Sequence, residues 1–221
     1  MKKSFKLKTL LASLVVASSV TLAPVAAQAG VSANVGMVSN YVFRGVEQTD
    51  SASASAGLDY ENESGLYVGT WIADVTDGLE YDLYAGWAGE FDGVSLGLGG
   101  TYYGYTDRAF DEPYKEVNLS VGFAGVTLGY DKGIHELAKE EDYSNAYISY
   151  ERNDFSATYG VYDANIDAKK DAMNYLDLGY SFELAKGLDG SVNYIYASPE
   201  DSNNDPETYL ILGISKSFDV M

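Results

Sequence analysis

Apolar and polar residues alternate with a period of two along most of the chain. Val117, Leu119, Val121 and Phe123 interleave with Asn118, Ser120, Gly122 and Ala124. Phe155, Ala157, Tyr159 and Val161 interleave with Ser156, Thr158, Gly160 and Tyr162, and Leu176, Leu178, Tyr180 and Phe182 with Tyr175, Asp177, Gly179 and Ser181. A period of two places successive side chains on opposite faces of a β-strand, so each segment has one apolar and one small or polar face. The pattern predicts about twelve strands. They span 31–45, 51–61, 65–73, 79–91, 93–105, 114–124, 125–132, 142–151, 154–163, 172–184, 189–197 and 207–218. The third has an ambiguous face, since either Leu66, Val68 and Ile72 or Tyr67 and Trp71 could point outward. Helical periodicity is nearly absent; its best candidate, 134–140, reads as a loop turn.

The connections alternate in length. Tight turns are expected at Asn62-Glu63-Ser64-Gly65, Asp92-Gly93, Ala124-Gly125 and Arg152-Asn153-Asp154, with a slightly longer one at 185–188. Longer, acidic loops are expected at 106–113, 133–141, 163–171 and 198–206. Short turns alternating with long loops are the pattern of outer-membrane barrels, whose short turns face the periplasm. Hairpins in series leave no place for the long return connection of a Greek key, and closure removes both sheet edges. The expected fold is therefore all-β, an antiparallel up-and-down transmembrane β-barrel of about twelve strands. Outside it lies residue set 1–29, which reads as a cleavable signal peptide: a basic start, the apolar run 10–22, Pro24, and Ala27-Gln28-Ala29 before Gly30. The barrel domain is then 30–221.

Composition narrows the chemistry. The whole chain carries a formal charge of −19, and past residue 29 there are 10 basic against 33 acidic side chains, a charge of −23. Nucleic acid is disfavoured, because phosphate binding needs clustered Lys and Arg. Zero Cys excludes disulfides, thiolate metal sites and Cys catalysis, and one His argues against a His-rich metal site or a Ser-His-Asp hydrolase. No enzymatic activity and no cofactor are expected.

The parity of each strand assigns its walls. Aromatic residues near strand ends form the expected interfacial girdles, among them Tyr41, Phe43, Tyr60, Trp87, Phe91, Tyr130, Tyr150, Phe155, Tyr196 and Phe218. Lys216 has lipid-facing parity, but near the last turn its long side chain can snorkel. The inward set includes Arg44, Asp59, Glu80, Asp82, Asn118, Asp131, Asn145, Tyr147, Asp177 and Glu183, in which acids outnumber bases. A wall of carboxylates concentrates cations, so Arg44, Asp59, Glu80, Asp82, Asn145, Tyr147, Asp177 and Glu183 are expected to line a narrow pore for neutral or cationic solutes. Inward glycines such as Gly86, Gly99, Gly122 and Gly129 either widen that pore or relieve strain in a curved sheet. Arg44, placed at the external end of the first strand, either sets a transverse field or, the plainer reading, pairs with one neighbouring carboxylate. Loop acids such as Asp111, Glu136, Asp201 and Asp205 are expected to be solvated, or to hold divalent cations against lipopolysaccharide phosphates. His135 is read as a lone exposed loop residue.

Several segments carry a family resemblance. Ser32-Ala33-Asn34-Val35, Ser39-Asn40-Tyr41-Val42-Phe43-Arg44-Gly45, Gln48-Thr49-Asp50 and Gly57-Leu58-Asp59-Tyr60-Glu61 resemble the TorF-type family of proteobacterial porin-like proteins. So do 63–71, 80–87 and the ending Ser215-Lys216-Ser217-Phe218, and the likeness is strongest over 32–90. The resemblance implies an outer-membrane β-barrel with porin activity. Many outer-membrane barrels end on an aromatic residue read by the assembly machinery. Here Asp219-Val220-Met221 follow Phe218, so that signal is expected at an internal position.

Three functions follow from different classes. The leading one is passive diffusion of small hydrophilic solutes across the outer membrane, with membrane lipid, lipopolysaccharide and the barrel-assembly machinery as partners. The second is a structural or adhesive barrel plugged by Tyr103, Tyr147, Tyr162 and Tyr175 interdigitating with Arg44 and the acids. The third is a rim enzyme, which would need His135 within reach of a carboxylate or hydroxyl.

Overall fold

A computed structural model describes residues 30–107, 111–136, 139–166, 169–200 and 205–220. The predicted leader over 1–29 and parts of the long loops, Asp201 included, lie outside these residues. Among the described residues there are fourteen strands and no helix. Twelve close into an antiparallel barrel: β1 (Gly30–Val38), β4 (Ser53–Glu61), β5 (Leu66–Asp74), β6 (Leu79–Phe91), β7 (Val94–Tyr105), β8 (Tyr114–Phe123), β9 (Val126–His135), β10 (Glu141–Arg152), β11 (Phe155–Ile166), β12 (Lys169–Ala185), β13 (Leu188–Pro199) and β14 (Glu207–Asp219). Each pairs with its sequence neighbour, and β1 closes the ring by pairing with both β4 and β14. Every strand thus has a partner on both sides, which a bilayer demands, since hydrocarbon offers backbone N–H and C=O groups nothing to bond.

The pattern of exposure follows the sequence parity. Leu58, Leu83, Leu98, Leu119, Leu128, Leu178 and Leu212 lie on the exposed outer wall, whereas their neighbours of opposite parity point inward. The ambiguous third segment is settled: Leu66, Val68 and Ile72 are exposed, while Tyr67 and Trp71 have inward parity. Lys216 faces outward with its ammonium 5.1 Å from the Phe218 ring centre. Near the turn end Trp87 stacks on Phe91, and Phe155 lies 4.7 Å from Tyr180, ring to ring. The tight turns fall where predicted. Asp92-Gly93 and Ala124-Gly125 both have positive φ at both positions, the geometry that two-residue hairpins need. Long connections lie at the opposite rim; by the pattern of outer-membrane barrels the turn rim, which also holds the start of β1 and the end of β14, is labelled periplasmic and the loop rim external.

Two differences stand out. The strands run further than expected at the external rim. β9 reaches His135, and the β11–β12 ladder continues to the pair Ile166–Lys169, because once a ladder is in register polar residues extend it into water as readily as apolar ones. The larger difference concerns 31–45. This is not one strand: β1 ends at Val38, and a separate hairpin follows, β2 (Tyr41–Phe43) and β3 (Val46–Thr49), which forms its own two-stranded sheet.

Candidate functional site

The β2–β3 hairpin folds into the lumen. It leaves the barrel wall at Ser39, whose N–H donates to Leu212 O at 2.8 Å and whose Oγ accepts from Leu212 N–H at 3.0 Å. Its return limb is fixed where Thr76 donates to Gln48 O through N–H at 3.0 Å and Oγ1 at 2.8 Å. Between these feet the two faces of the hairpin meet different walls. Val42 packs with Ile195 and Ile211 of β13 and β14, and Tyr41 packs with Ala73 and Val75 and meets Trp71 edge-on at 5.7 Å. Burial of these apolar side chains supplies the driving force for the inward fold.

The tip of the hairpin is Arg44-Gly45, with φ of 51° and 82°. Gly45 fits there because a Cβ would come within 3.0 Å of the Tyr175 Cβ, as well as demanding a left-handed backbone. Arg44 is 2% exposed. Its Nη1 and Nη2 donate to Glu116 at 2.6 and 2.9 Å, and Nη2 also donates to Asp131 at 2.8 Å. The guanidinium carbon lies 4.6 Å from the Phe43 ring centre and 5.9 Å from that of Tyr162. Sequence parity put Arg44 on the wall of the first strand. It stands instead in the lumen and bridges to two carboxylates on β8 and β9.

Around this bridge the wall is densely hydrogen-bonded. Asn118 Nδ2 donates to Glu116 at 2.5 Å and to Asp131 at 3.0 Å. Asn145 Nδ2 donates to Asp131 at 2.9 Å, and Tyr175 OH donates to Asn145 at 3.1 Å. Tyr103 OH donates to Glu116 at 3.2 Å. Two strands along the wall, on β6, Glu80 accepts from Tyr41 OH at 2.6 Å. Asp82, buried at 8% exposure, keeps Oδ1 without a hydrogen-bond partner. Charged hydrogen bonds of this kind are about twice as strong as neutral ones. Arg44 is their one basic member, set against Glu80, Asp82, Glu116 and Asp131.

The remaining sequence-predicted residues divide by depth. Tyr147 is buried with its ring over Gly129 on one side and opposite Gly160 on the other. A Cβ on Gly129 would lie 2.0 Å from Tyr147 Cζ, and one on Gly160 2.2 Å from Tyr175 Cζ. These inward glycines therefore do not widen the lumen; tyrosine rings from the neighbouring strand fill the space. Asp59 is half-buried and accepts from Tyr84 OH and from Asn34 Nδ2. Asp177 accepts from Asn193 at 2.9 Å. Glu183 is exposed at the periplasmic rim, near the Gly187 N–H at 3.4 Å. Tyr41 and Phe43 leave the expected lipid girdle for the interior. Glu116 went unrecognised, although its parity matches that of Asn118 two residues on.

His135 is corrected too. It is buried at 6% exposure, lies flat on Tyr114 at 3.9 Å, and its Nε2 is 2.8 Å from Asp111 Oδ1. Tyr114 OH donates to Asp111 Oδ2 at 2.7 Å. Burial acts to raise the Asp111 carboxyl, but the hydrogen bonds from His135 and Tyr114 outweigh it and hold the group below its usual value of 3.8. The carboxylate contact named for a rim enzyme is therefore present at the external rim, while His135 Nδ1 has no hydrogen-bond partner among the described residues. The outer wall near that rim carries a concavity of about 750 Å³ lined by Val68, Leu83, Val117 and Ile134, all of lipid-facing parity. It lies outside the lumen.

A closed twelve-stranded antiparallel barrel with a polar interior has the architecture of outer-membrane porins. The structure is similar to the KdgM porin, with a TM-score of 0.55 and 13% identity over 85% of this chain and 99% of that one. A second KdgM structure, in complex with disordered oligogalacturonate, gives 0.55 at 11% identity over 85% and 99%. The NanC porin gives 0.53 at 11% identity over 86% and 100%. At such identity the likeness concerns the fold. Residues 23–217 match the family described as "Bacterial protein of unknown function (Gcw_chp)", and the chain belongs to it. No curated protein matches the sequence.

Proposed function

We propose that this protein is an outer-membrane channel for passive diffusion of small hydrophilic solutes, neutral or cationic, held narrow by the β2–β3 hairpin. One observation carries the reading: the hairpin fills the external half of the lumen yet forms its own sheet, outside the barrel ladder. It can therefore leave without breaking a barrel strand pair. With it gone, the lumen would be lined by Asp59, Glu80, Asp82, Asn145, Tyr147, Asp177 and Glu183, plus Glu116 and Asp131 freed of Arg44. A carboxylate-rich wall favours cations over anions. The oligogalacturonate of the KdgM complex is an acid, which this wall would repel. The leader over 1–29, export to the outer membrane, the TorF-type resemblance, the lipopolysaccharide contact and a non-enzymatic role belong to the same proposal.

A second reading keeps its own support. Tyr103 donates to Glu116, the Tyr162 ring lies 5.9 Å from the Arg44 guanidinium, and Tyr175 reaches the cluster through Asn145, contacts that support a permanently plugged structural barrel. Planar-bilayer conductance in a salt gradient separates the two. The mature chain is compared with a variant whose residues 40–50 are replaced by a short Gly-Ser link. Discrete steps with a cation-selective reversal potential are expected from the variant, and rarer or smaller steps from the parent. In the variant Asp82→Asn and Asp177→Asn should weaken the preference. A silent variant that still shows heat-modifiable migration would remove the channel reading and leave the structural barrel.

A further inference from the structure

Arg44 fills a site that the barrel wall builds without it. Glu116 receives two of its N–H groups in a fork at 2.6 and 2.9 Å, and Asp131 receives a third contact at 2.8 Å. Both carboxylates are oriented by wall residues: Asn118 donates to each of them, and Asn145 donates to Asp131. Tyr162 of β11 adds a ring beside the cation. All five groups lie on β8 to β11, whereas the occupant lies on the separate hairpin.

An independent observation points to spare capacity for a cation. Asp82 lies on β6 in register with Tyr103, whose hydroxyl donates to Glu116. Asp82 is 8% exposed and its Oδ1 accepts from no group. Such a buried acceptor is costly unless a donor arrives. Among the described residues, no three His, Cys, Asp or Glu side chains are grouped so as to hold a metal ion. The fork that Glu116 presents to two N–H groups is the feature that selects a planar organic cation.

We infer that Glu116, Asp131, Asn118 and Asn145 form a recognition site for solutes bearing a guanidinium group, which Arg44 occupies in cis until such a solute replaces it. Guanidinium is planar, weakly hydrated and matches a carboxylate with two parallel bonds. An ammonium ion offers a point charge with no such fork. Exchange of one guanidinium for another keeps both carboxylates paired, so it avoids the penalty of a bare buried charge. A ligand that binds only the hairpin-out state shifts the population toward it. That solutes then pass through the barrel rests on the channel reading above; that they bind does not.

The test reads binding without conduction. The chain has two Trp residues, and Trp71 touches Tyr41 at the foot of the hairpin. In full-length mature Trp87→Phe protein, Trp71 emission therefore reports hairpin displacement. Ethylguanidinium should change it saturably, at a midpoint about tenfold below that of ethylammonium, equivalent to about 1.4 kcal/mol. Ethylurea, its neutral analogue, should do nothing. Glu116→Gln should abolish the response. In Arg44→Ala, ethylguanidinium should raise the melting midpoint of the vacated site while ethylurea does not; if that variant fails to fold, the Trp71 titration decides alone. An ethylammonium response equal to that of ethylguanidinium, or no saturable response, overturns the site. Binding with a silent hairpin-deleted barrel would keep the site and remove the channel. Conductance without binding would do the reverse.

Discussion

The external and periplasmic halves of the lumen are built from the same strands but filled in different ways. Toward the external rim, Arg44, Glu116, Asp131, Asn118 and Asn145 meet across the interior, and the hairpin packs apolar side chains on two separate stretches of wall. Toward the periplasm many inward positions are small, among them Ser95, Gly122, Ser156 and Gly179, and Asp59 is only half-buried. The external half depends on contacts between residues far apart in sequence. The periplasmic half depends on neighbouring strands and two-residue turns. Rigidity, charge and sensitivity to substitution should therefore concentrate at one end.

Removing the counter-ion should have the largest effect. Arg44→Met leaves Glu116 and Asp131 buried side by side without a cation, and breaking a buried pair in this way costs on the order of 3–5 kcal/mol. Asp59→Asn in the periplasmic half keeps one of two acceptor oxygens at a half-buried group and should cost about 1 kcal/mol. Urea unfolding of the two variants in detergent reads the difference directly. Equal losses would mean that the hairpin bridge contributes no more than a rim hydrogen bond.

A similar contrast holds for two glycines. Gly129→Ala drives a methyl into the buried Tyr147 ring, and the space at the paired Gly160 is already taken by the Tyr175 ring, so overpacking of about 1–3 kcal/mol is expected. At Gly122 the nearest atom is the Ser95 hydroxyl, which can rotate away, and Gly122→Ala should cost under about 1 kcal/mol. Melting of the two variants by heat-modifiable migration orders them. The reverse order would mean that the tyrosine has room to move.

Acid should act on the external rim first. Asp111 is held below its usual 3.8 by His135 and Tyr114, against the upward pull of burial. A carboxyl lowered in the folded state contributes stability that is fully present above the unfolded value and is lost as pH falls through the folded one. Amide exchange near Glu136, whose N–H donates to Pro113 O, should therefore stay slow down to about pH 4 and quicken below it. The periplasmic turn at Asn62 uses an amide oxygen to receive Ser64 and Leu66 N–H groups, and should show no such step. Parallel acceleration at both rims would point to global loosening.

Much of the barrel was legible because its causes are local. Alternation fixes parity, parity fixes the lipid face, and X-Gly pairs fix the turns. The hairpin escaped because Tyr41 and Phe43 continue the apolar parity begun by Val35 and Met37, so 31–45 reads as one strand. What decides otherwise is distant: Val42 meets Ile195 and Ile211, residues more than 150 positions away. Glu116 and His135 were misjudged for the same reason, since nothing beside them in sequence names Arg44 or Asp111 as partner. One local signal was present. Arg44-Gly45 has the form of the turn pairs Asp92-Gly93 and Ala124-Gly125.

That shared turn gives the smallest test, and one in which the sign itself separates the two ends. Arg44 and Ala124 have nearly the same backbone, with φ of 51° and 53°, each followed by a glycine at positive φ. Left-handed backbone is unfavourable for Ala by about 1 kcal/mol and is better tolerated by Asn. Ala124→Asn should stabilise the barrel by up to about 1 kcal/mol, because that side chain is exposed at the periplasmic rim and makes no other contribution. Arg44→Asn gains the same local relief yet should destabilise, because the ion pairs it loses outweigh the turn. If both substitutions stabilised, the hairpin tip would be governed by its backbone alone, and the charge bridge would hold nothing in place.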